Sequence, residues 1–480
     1  MNGSHPRQQA PARLWTLLVG LATLLASPLP SARAETYRIG PAETRTSLSQ
    51  VPWDRLLPGD IVEIVARPEP YRTKFVLCRR GTQAEPIIIR GILGPNGERP
   101  ILDGENAVTP PGLNFWSEKR GVIKIGGANH PDDTMPAWIT IENLEITNAR
   151  HDVFFLGRDG LTEYAGNASA IYVEKGENLV FRNCRFHHCG NGFLSSHDTK
   201  SILLEGCHIH DNGVAGSILE HNSYTETEGI TFQTCRFGPL IKGAGGTALK
   251  DRSAGLVVRY NWIEGGNRQL DLVDAQEGEH LRGKAEYDSA FVYGNVLVEY
   301  EGNDNNQIVH FGGDSGIPAN NRQGPLWFCN NTVVSFRKEK TCLFRLSTNR
   351  QRVEAQNNIV YVEAEGRMLS ILDETGDAHL QGNWFKEGWR KCHGDIQGSV
   401  TDNETLIGKK GTEAATDPGF VDLAGLDFRL RANAAARQPR PATGLPAPHV
   451  LTIEPPTLTR PAQRRPAETV LFPGAFGSVP

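Results

Sequence analysis

Beyond one apolar stretch near its start, the 480-residue chain has no run of apolar residues long enough to cross a bilayer, so a protein with several membrane spans is excluded. It has no CxxC pair, the usual spacing of a cysteine metal site. It also lacks a basic surplus. Lys and Arg total 50 against 55 Asp and Glu, a formal charge of -5, which argues against a general nucleic-acid binder. Apolar content is only 39%, while glycine reaches 51 residues, a balance that favours many short strands and tight turns over long helices. The mean hydropathy of -0.38 fits a soluble chain. Length alone allows about three average domains, or one elongated β unit.

The apolar stretch runs from Leu14 to Ala26, follows Arg7 and Arg13, and precedes Ala32-Arg33-Ala34, the small-residue pattern of a cleavage site. Residues 1–34 are therefore expected to be an export signal. After cleavage no span remains, and the protein is expected in the periplasm or outside the cell. The signal holds three arginines and no acid, so its loss takes the formal charge from -5 to -8. Of the eight cysteines, Cys184, Cys207 and Cys235 fall at one repeated position and read as packed thiols. Cys189, Cys329, Cys342 and Cys392 remain available for pairing, with connectivity open.

The repeat begins near residue 140. It reads Asn143-Leu-Glu-Ile146, Asn183-Cys-Arg-Phe186, Gly206-Cys-His-Ile209, and then six steps ending at Phe237, Ile263, Leu297, Val333, Val360 and Phe385. The second position holds Cys at 184, 207 and 235, and Asn at 261, 295, 331, 358 and 383. Irregular spacing with a recurring short period is what a solenoid gives when some coils carry loops. If coils stack about 4.8 Å apart, the Asn amides bond along the axis and serve the scaffold. Leu56-Leu57-Pro58-Gly59-Asp60-Ile61-Val62-Glu63-Ile64 and Pro86-Ile87-Ile88-Ile89-Arg90-Gly91 each read as a turn and an alternating strand. Ser47 to Leu56 before them is expected to be a short amphipathic helix covering the open end of the stack.

These stretches, with Ala415 to Leu430 as closing strands, resemble the right-handed parallel β-helix proteins of the pectate-lyase-like superfamily over roughly residues 37 to 435. The resemblance implies an all-β fold: a right-handed parallel β-helix (solenoid) with a short N-terminal capping helix. The expected boundaries are 35–436 for the β-helix and 437–480 for an extended tail rich in Pro, Ala and Arg.

A second strand precedes each Asn or Cys step. Aligning these strands puts Ser195, Glu220, Lys250, Asp271, His310 and Arg345 in one outward column, with His221, Arg252 and Asp274 nearby. A polar stripe of mixed charge suits an extended acidic polysaccharide, cut by β-elimination. That chemistry needs a carboxylate neutraliser, a base for the C5 proton and an acid for the leaving oxygen. Lys250 is the expected base and Arg252 the carboxylate holder, with His221 and Tyr224 as an acid/base couple. Glu220, Asp271, His310 and Arg345 are expected to bind substrate. Superfamily lyases similar to chondroitinase B and alginate lyases place a base Lys in an Asn-Lys-Ser-like strand, which Ala248 to Ser253 resembles in part. Their Arg-His-Gly-like segment one coil later is replaced by Leu270-Asp271-Leu272-Val273-Asp274. That departure leaves a second possibility, Ca2+ held by Asp271 and Asp274 with Asp251 and Glu220, or an acid pair for hydrolysis. A uronate C5-epimerase and a noncatalytic glycan-binding β-helix remain open beside the lyase, in each case as a monomer. His208 and His210, at spacing two, read as surface histidines. Trp116, Tyr164, Tyr224, Tyr287 and Trp327 are the aromatics in or near loops, and the insertions 271–295 and 310–331 are expected to wall the groove.

Overall fold

The computed structural model describes residue 3 and residues 34–302, 305–403, 405, 412–438, 444–465 and 472–476. The expected export signal lies outside them, apart from Gly3 and Ala34. Among the described residues, no helix is long and apolar enough to cross a membrane.

The chain winds into a parallel β-helix with three faces. The site face includes Ser223–Thr225, Leu249–Asp251, Leu270–Leu272, Gln307–Phe311 and Thr341–Leu346. The flank face includes Glu228–Gln233, Ala254–Arg259, Ala290–Tyr293 and Leu326–Cys329. The ladder face is a 10-stranded parallel sheet running from Ile101–Asp103 to Trp384–Phe385. The inward apolar residues of the three faces form one continuous core, while on the ladder face the outward Trp262, Val296, Val298, Val334, Ile359 and Trp384 pack with Phe420, Phe428 and Phe476 in a second cluster.

The repeat legible in the sequence is the ladder face. Ile146 pairs with Phe186, then Ile209, Phe237, Ile263, Leu297, Val333, Val360 and Phe385, all in register. The first residue of each step has a positive φ, from 51° at Asn330 to 68° at Gly294, which turns the chain from flank to ladder face. Asn and Gly tolerate that left-handed conformation, so they recur there.

At the second position Asn261, Asn295, Asn331, Asn358 and Asn383 form the expected amide ladder. Asn295 Oδ1 accepts from Asn261 N at 2.9 Å and from Asn261 Nδ2 at 3.0 Å, while Asn295 Nδ2 donates to Val258 O at 2.9 Å. The cysteines extend the stack, and Cys207 Sγ donates to Phe181 O at 3.4 Å. All eight thiols are free, so the pairing left open for Cys189, Cys329, Cys342 and Cys392 does not occur.

The expected helix over 47–56 is a single 3-10 turn, Leu48–Gln50, capped by Ser47 and Gln50. Pro52 stops it by driving Val51 to extended backbone. The cover over the open end is still made by side chains, with Leu48, Val51 and Leu56 buried and Trp53 stacked on Phe75 at 3.9 Å. At the other terminus the described parts of the tail lie over the left-handed turns. Thr452 N donates to Tyr260 Oη at 3.0 Å and Gly474 N donates to Asn357 O at 2.8 Å.

The ladder makes a measurable demand. Asn295→Ala removes the acceptor of Asn261 N and of one Asn261 Nδ2 proton, the other still going to Phe232 O, and removes the amide donor to Val258 O. At about 1–3 kcal/mol for each unsatisfied group, the variant is expected to lose at least about 3 kcal/mol in urea unfolding. A loss below about 1 kcal/mol means that the amides do not hold the coils together.

Candidate functional site

On the site face the alternation that buries Leu249, Leu270, Val309 and Phe344 sends their neighbours outward. Tyr224 pairs with Lys250, Lys250 with Asp271, Asp271 with His310, and His310 with Arg345. The column expected from Lys250 onward is present. Upstream it is corrected: Tyr224 stands where Glu220 was expected, and Leu194 stands where Ser195 was. Glu220 lies in the turn before Ser223–Thr225, and Ser195 shares an inward hydrogen bond with Thr227 at 2.7 Å. The missed signal was spacing, since Tyr224 precedes Cys235 by 11 residues just as Lys250 precedes Asn261 by 11.

The second expected insertion folds back over this column, and the first packs beside it against Ala254. The second brings in Asp314, which sequence reasoning missed. Lys250 Nζ donates to Asp271 Oδ2 and to Asp314 Oδ2, both at 2.6 Å. Arg252 reaches the other Asp314 oxygen at 2.8 Å, donates from Nε to Tyr224 Oη at 3.0 Å, and donates to the Asp274 carbonyl at 2.6 Å. One carboxylate thus bridges the ammonium and the guanidinium. The loop is pinned from beneath by Arg322, fully buried, which meets Asp251 at 3.1 Å and donates to Val273 O at 2.8 Å. The first insertion is tied by Glu226, whose Oε1 accepts from Glu277 N at 2.9 Å and Gly278 N at 2.6 Å.

Farther along, His310 Nδ1 lies 2.7 Å from Asp271 Oδ1, and His310 Nε2 lies 2.9 Å from Ser347 Oγ. Arg268 approaches Asp271 at 3.7 Å, and Arg345, more exposed, lies 3.7 Å from Asp373.

Burial pushes the Asp271 carboxyl up, but the His310 hydrogen bond and the charges of Lys250 and Arg268 outweigh it and hold the group well below its usual range. Asp314 follows the same logic: burial raises it, while Lys250 and Arg252 lower it more. Burial lowers His310 despite Asp271, which leaves a neutral imidazole at neutral pH. His221 is lowered to about 3, first by burial and then by the charge of Lys250. Its Nδ1 accepts from Thr247 N at 2.9 Å, and its ring meets Tyr224 edge-on at 5.5 Å.

The carboxylates do not fit a calcium ion as they stand. Asp271 is held by Lys250 and His310, Asp274 by Ser315 and the Asp314 backbone, and Asp251 by Arg322 and Ser253. Among the described residues no three His, Cys, Asp or Glu side chains group as a metal site requires. His208 and His210 stack on the outer ladder face with ring centroids 4.0 Å apart. Of the aromatics, Tyr224 alone is in the cluster. Tyr164 and Tyr287 are buried, Trp327 lies on the flank face, and Trp116 is exposed beside Lys124.

A cleft of about 810 Å³ lies away from this column, between Arg99, Arg182, Arg185 and Arg236 and the tail. Carboxylates already meet three of these arginines: Glu205 at Arg182, Glu145 at Arg185 and Glu264 at Arg236. The site column carries the more distinctive chemistry.

Residues 123–285 match the family model described as the right handed beta helix region, in keeping with the parallel β-helix described above. No curated protein matches the sequence. Among solved structures the chain is similar to an alginate lyase from Paenibacillus sp. str. FPU-7, with 13% identity, TM-score 0.37, and coverage of 68% of this chain and 91% of that one. It is similar to pectate lyase Pel9A, with 14% identity, TM-score 0.44, and coverage of 93% and 98%. A lacto-N-biosidase from Eubacterium ramulus gives 12% identity, TM-score 0.41, and coverage of 78% and 67%. At these values the likenesses carry no argument about chemistry, which rests on the site.

The low pKa of His221 has a defined sign. Between pH 6.5 and about 3 the unfolded imidazole binds a proton that the folded one refuses, so stability falls with pH by up to about 1.4 kcal/mol per unit. His221→Gln is expected to remove that component, giving a shallower loss from pH 6.5 to 4 in urea titrations. Equal slopes for both proteins would show that His221 is not held neutral by the fold.

Proposed function

We propose that the protein is an exported, carbohydrate-active β-helix enzyme that cleaves an acidic, uronate-containing polysaccharide by β-elimination, working as a monomer in the periplasm or outside the cell. The observation that carries this reading is Asp314: a carboxylate bridged by Lys250 at 2.6 Å and Arg252 at 2.8 Å. A uronate carboxylate has the same shape and charge, and it finds two matching cations once the loop carboxylate gives way.

In the reaction Arg252 neutralises the substrate carboxylate, which makes the C5 proton more acidic. When Asp314 yields, the Lys250 ammonium gives a proton to solvent and the resulting amine takes the C5 proton, the bond from C4 to the leaving oxygen breaks, and a C4–C5 double bond forms. Tyr224, held by Arg252 at 3.0 Å, gives its proton to the leaving oxygen. His221 stays neutral and keeps Tyr224 in place through ring packing. Glu220, outside the column, has no step in this scheme. Asp271 orients Lys250 from the next coil, while His310 and Arg345 extend the stripe along the polymer.

A second reading, a glycan-binding surface without turnover, is favoured by the two carboxylates that hold Lys250. One assay separates the two. Alginate, pectate and chondroitin are each incubated with the mature protein, and absorbance from unsaturated ends is followed. The lyase gives a rise that Lys250→Ala reduces at least about 100-fold, and Asp314→Asn lowers KM by removing the internal competitor. Flat absorbance with polymer retained on a native gel, and released by Arg252→Ala, means binding alone. Changed uronate configuration without cleavage indicates epimerisation, and new reducing ends without absorbance indicate hydrolysis.

A further inference from the structure

Ser347 has no part in the elimination, yet its surroundings are those of an activated nucleophile. It follows directly on the strand Thr341–Leu346, two residues after Arg345 and on the same side. Its Oγ lies 2.9 Å from His310 Nε2, and His310 Nδ1 lies 2.7 Å from Asp271 Oδ1. Asp271 is buried and ionised, so it accepts from Nδ1–H, and the Nε2 lone pair faces the hydroxyl. The hydroxyl has a second acceptor in Gly313 O at 2.9 Å and receives Gly313 N–H at 2.9 Å. Gly312, at φ 131°, lets the loop pass this close, since a Cβ there would lie 2.7 Å from Ser347 Oγ.

The geometry points to a second activity: Ser347, His310 and Asp271 form a nucleophile, base and orienting acid that hydrolyse O-acyl esters, such as acetyl groups carried on sugar hydroxyls. The arrangement is recognised by roles and distances, because the three residues lie on successive coils and not in any sequence motif. That the ester is borne by a polysaccharide rests on the function proposed above; the ester chemistry itself does not.

The step balances. Ser347 Oγ attacks the acyl carbon while its proton passes to His310 Nε2. The bond from acyl carbon to sugar oxygen breaks, and His310 returns the proton to that oxygen. Water then attacks the acyl-serine, giving its proton to His310, and Ser347 leaves with a proton restored, so ester and water become alcohol and carboxylic acid. The exposed Arg345 guanidinium, paired through its backbone with His310, supplies positive charge for the developing oxyanion.

The test uses the whole mature protein with p-nitrophenyl acetate, which has no uronate and no C5 proton, so its outcome is separate from that of the elimination assay. A fluorophosphonate probe is applied in parallel, and the tryptic peptide Leu346–Arg350 is sequenced by mass spectrometry. The expected result is a probe adduct on Ser347, ester turnover that falls at least about 100-fold in Ser347→Ala and in His310→Gln, and a rate lost towards acid pH as His310 gains a proton. An unlabelled Ser347 in folded wild-type protein, or turnover that survives Ser347→Ala, overturns the assignment and leaves Ser347 as a tie for the Gly312–Gly313 loop.

Discussion

Parallel pairing in register is the constraint on which the molecule depends. Each coil lies about 4.8 Å from the next, so every side chain has a neighbour in the equivalent position above and below. An inward amide is tolerable only because the next amide accepts its protons, as Asn295 does for Asn261. The same rule governs the outward column. Lys250 pairs with Asp271 on the next coil, so opposite charges meet and can be buried together, and Asp271 meets the neutral His310 one coil further on.

That burial makes the site unusual among the polar faces of the protein. Arg38 with Glu63 and Lys200 with Glu228 are more exposed pairs, of the kind that contributes little. Lys250, Arg252, Asp271 and His310 are buried beneath a loop held by the Arg322–Asp251 pair. Taking four ionisable groups from water costs several kcal/mol unless each is paired, and here each is. Asp314 completes the pairing from a loop, which makes it the member of the set best placed to yield to a ligand carboxylate.

One carboxylate, Asp271, joins two arrangements. Towards Tyr224 it holds Lys250, one of the two cations that Asp314 bridges. Towards Ser347 it orients a neutral histidine. Both face the same stripe, so the two proposed activities, cleavage of a backbone and removal of its acyl groups, would share one groove.

The sequence determined the winding. Asn or Gly before an Asn or Cys step, followed by an apolar residue, recurs because a left-handed turn and an inward amide are needed in every coil, and such local needs leave a local trace. The same alternation set Lys250, Asp271, His310 and Arg345 in one column. It misplaced Glu220 because no residue type must recur on the site face, so a loop of irregular length hides the register there. The helix over 47–56 shrank to one turn because Pro52 overrode its apolar pattern. Only the tertiary structure decided that Asp314 reaches Lys250 across 64 residues and that Ser347 meets His310 across 37. Those contacts come from loops folding back over stacked coils, and a loop's destination depends on the surface it lands on, which no periodicity in its own residues records.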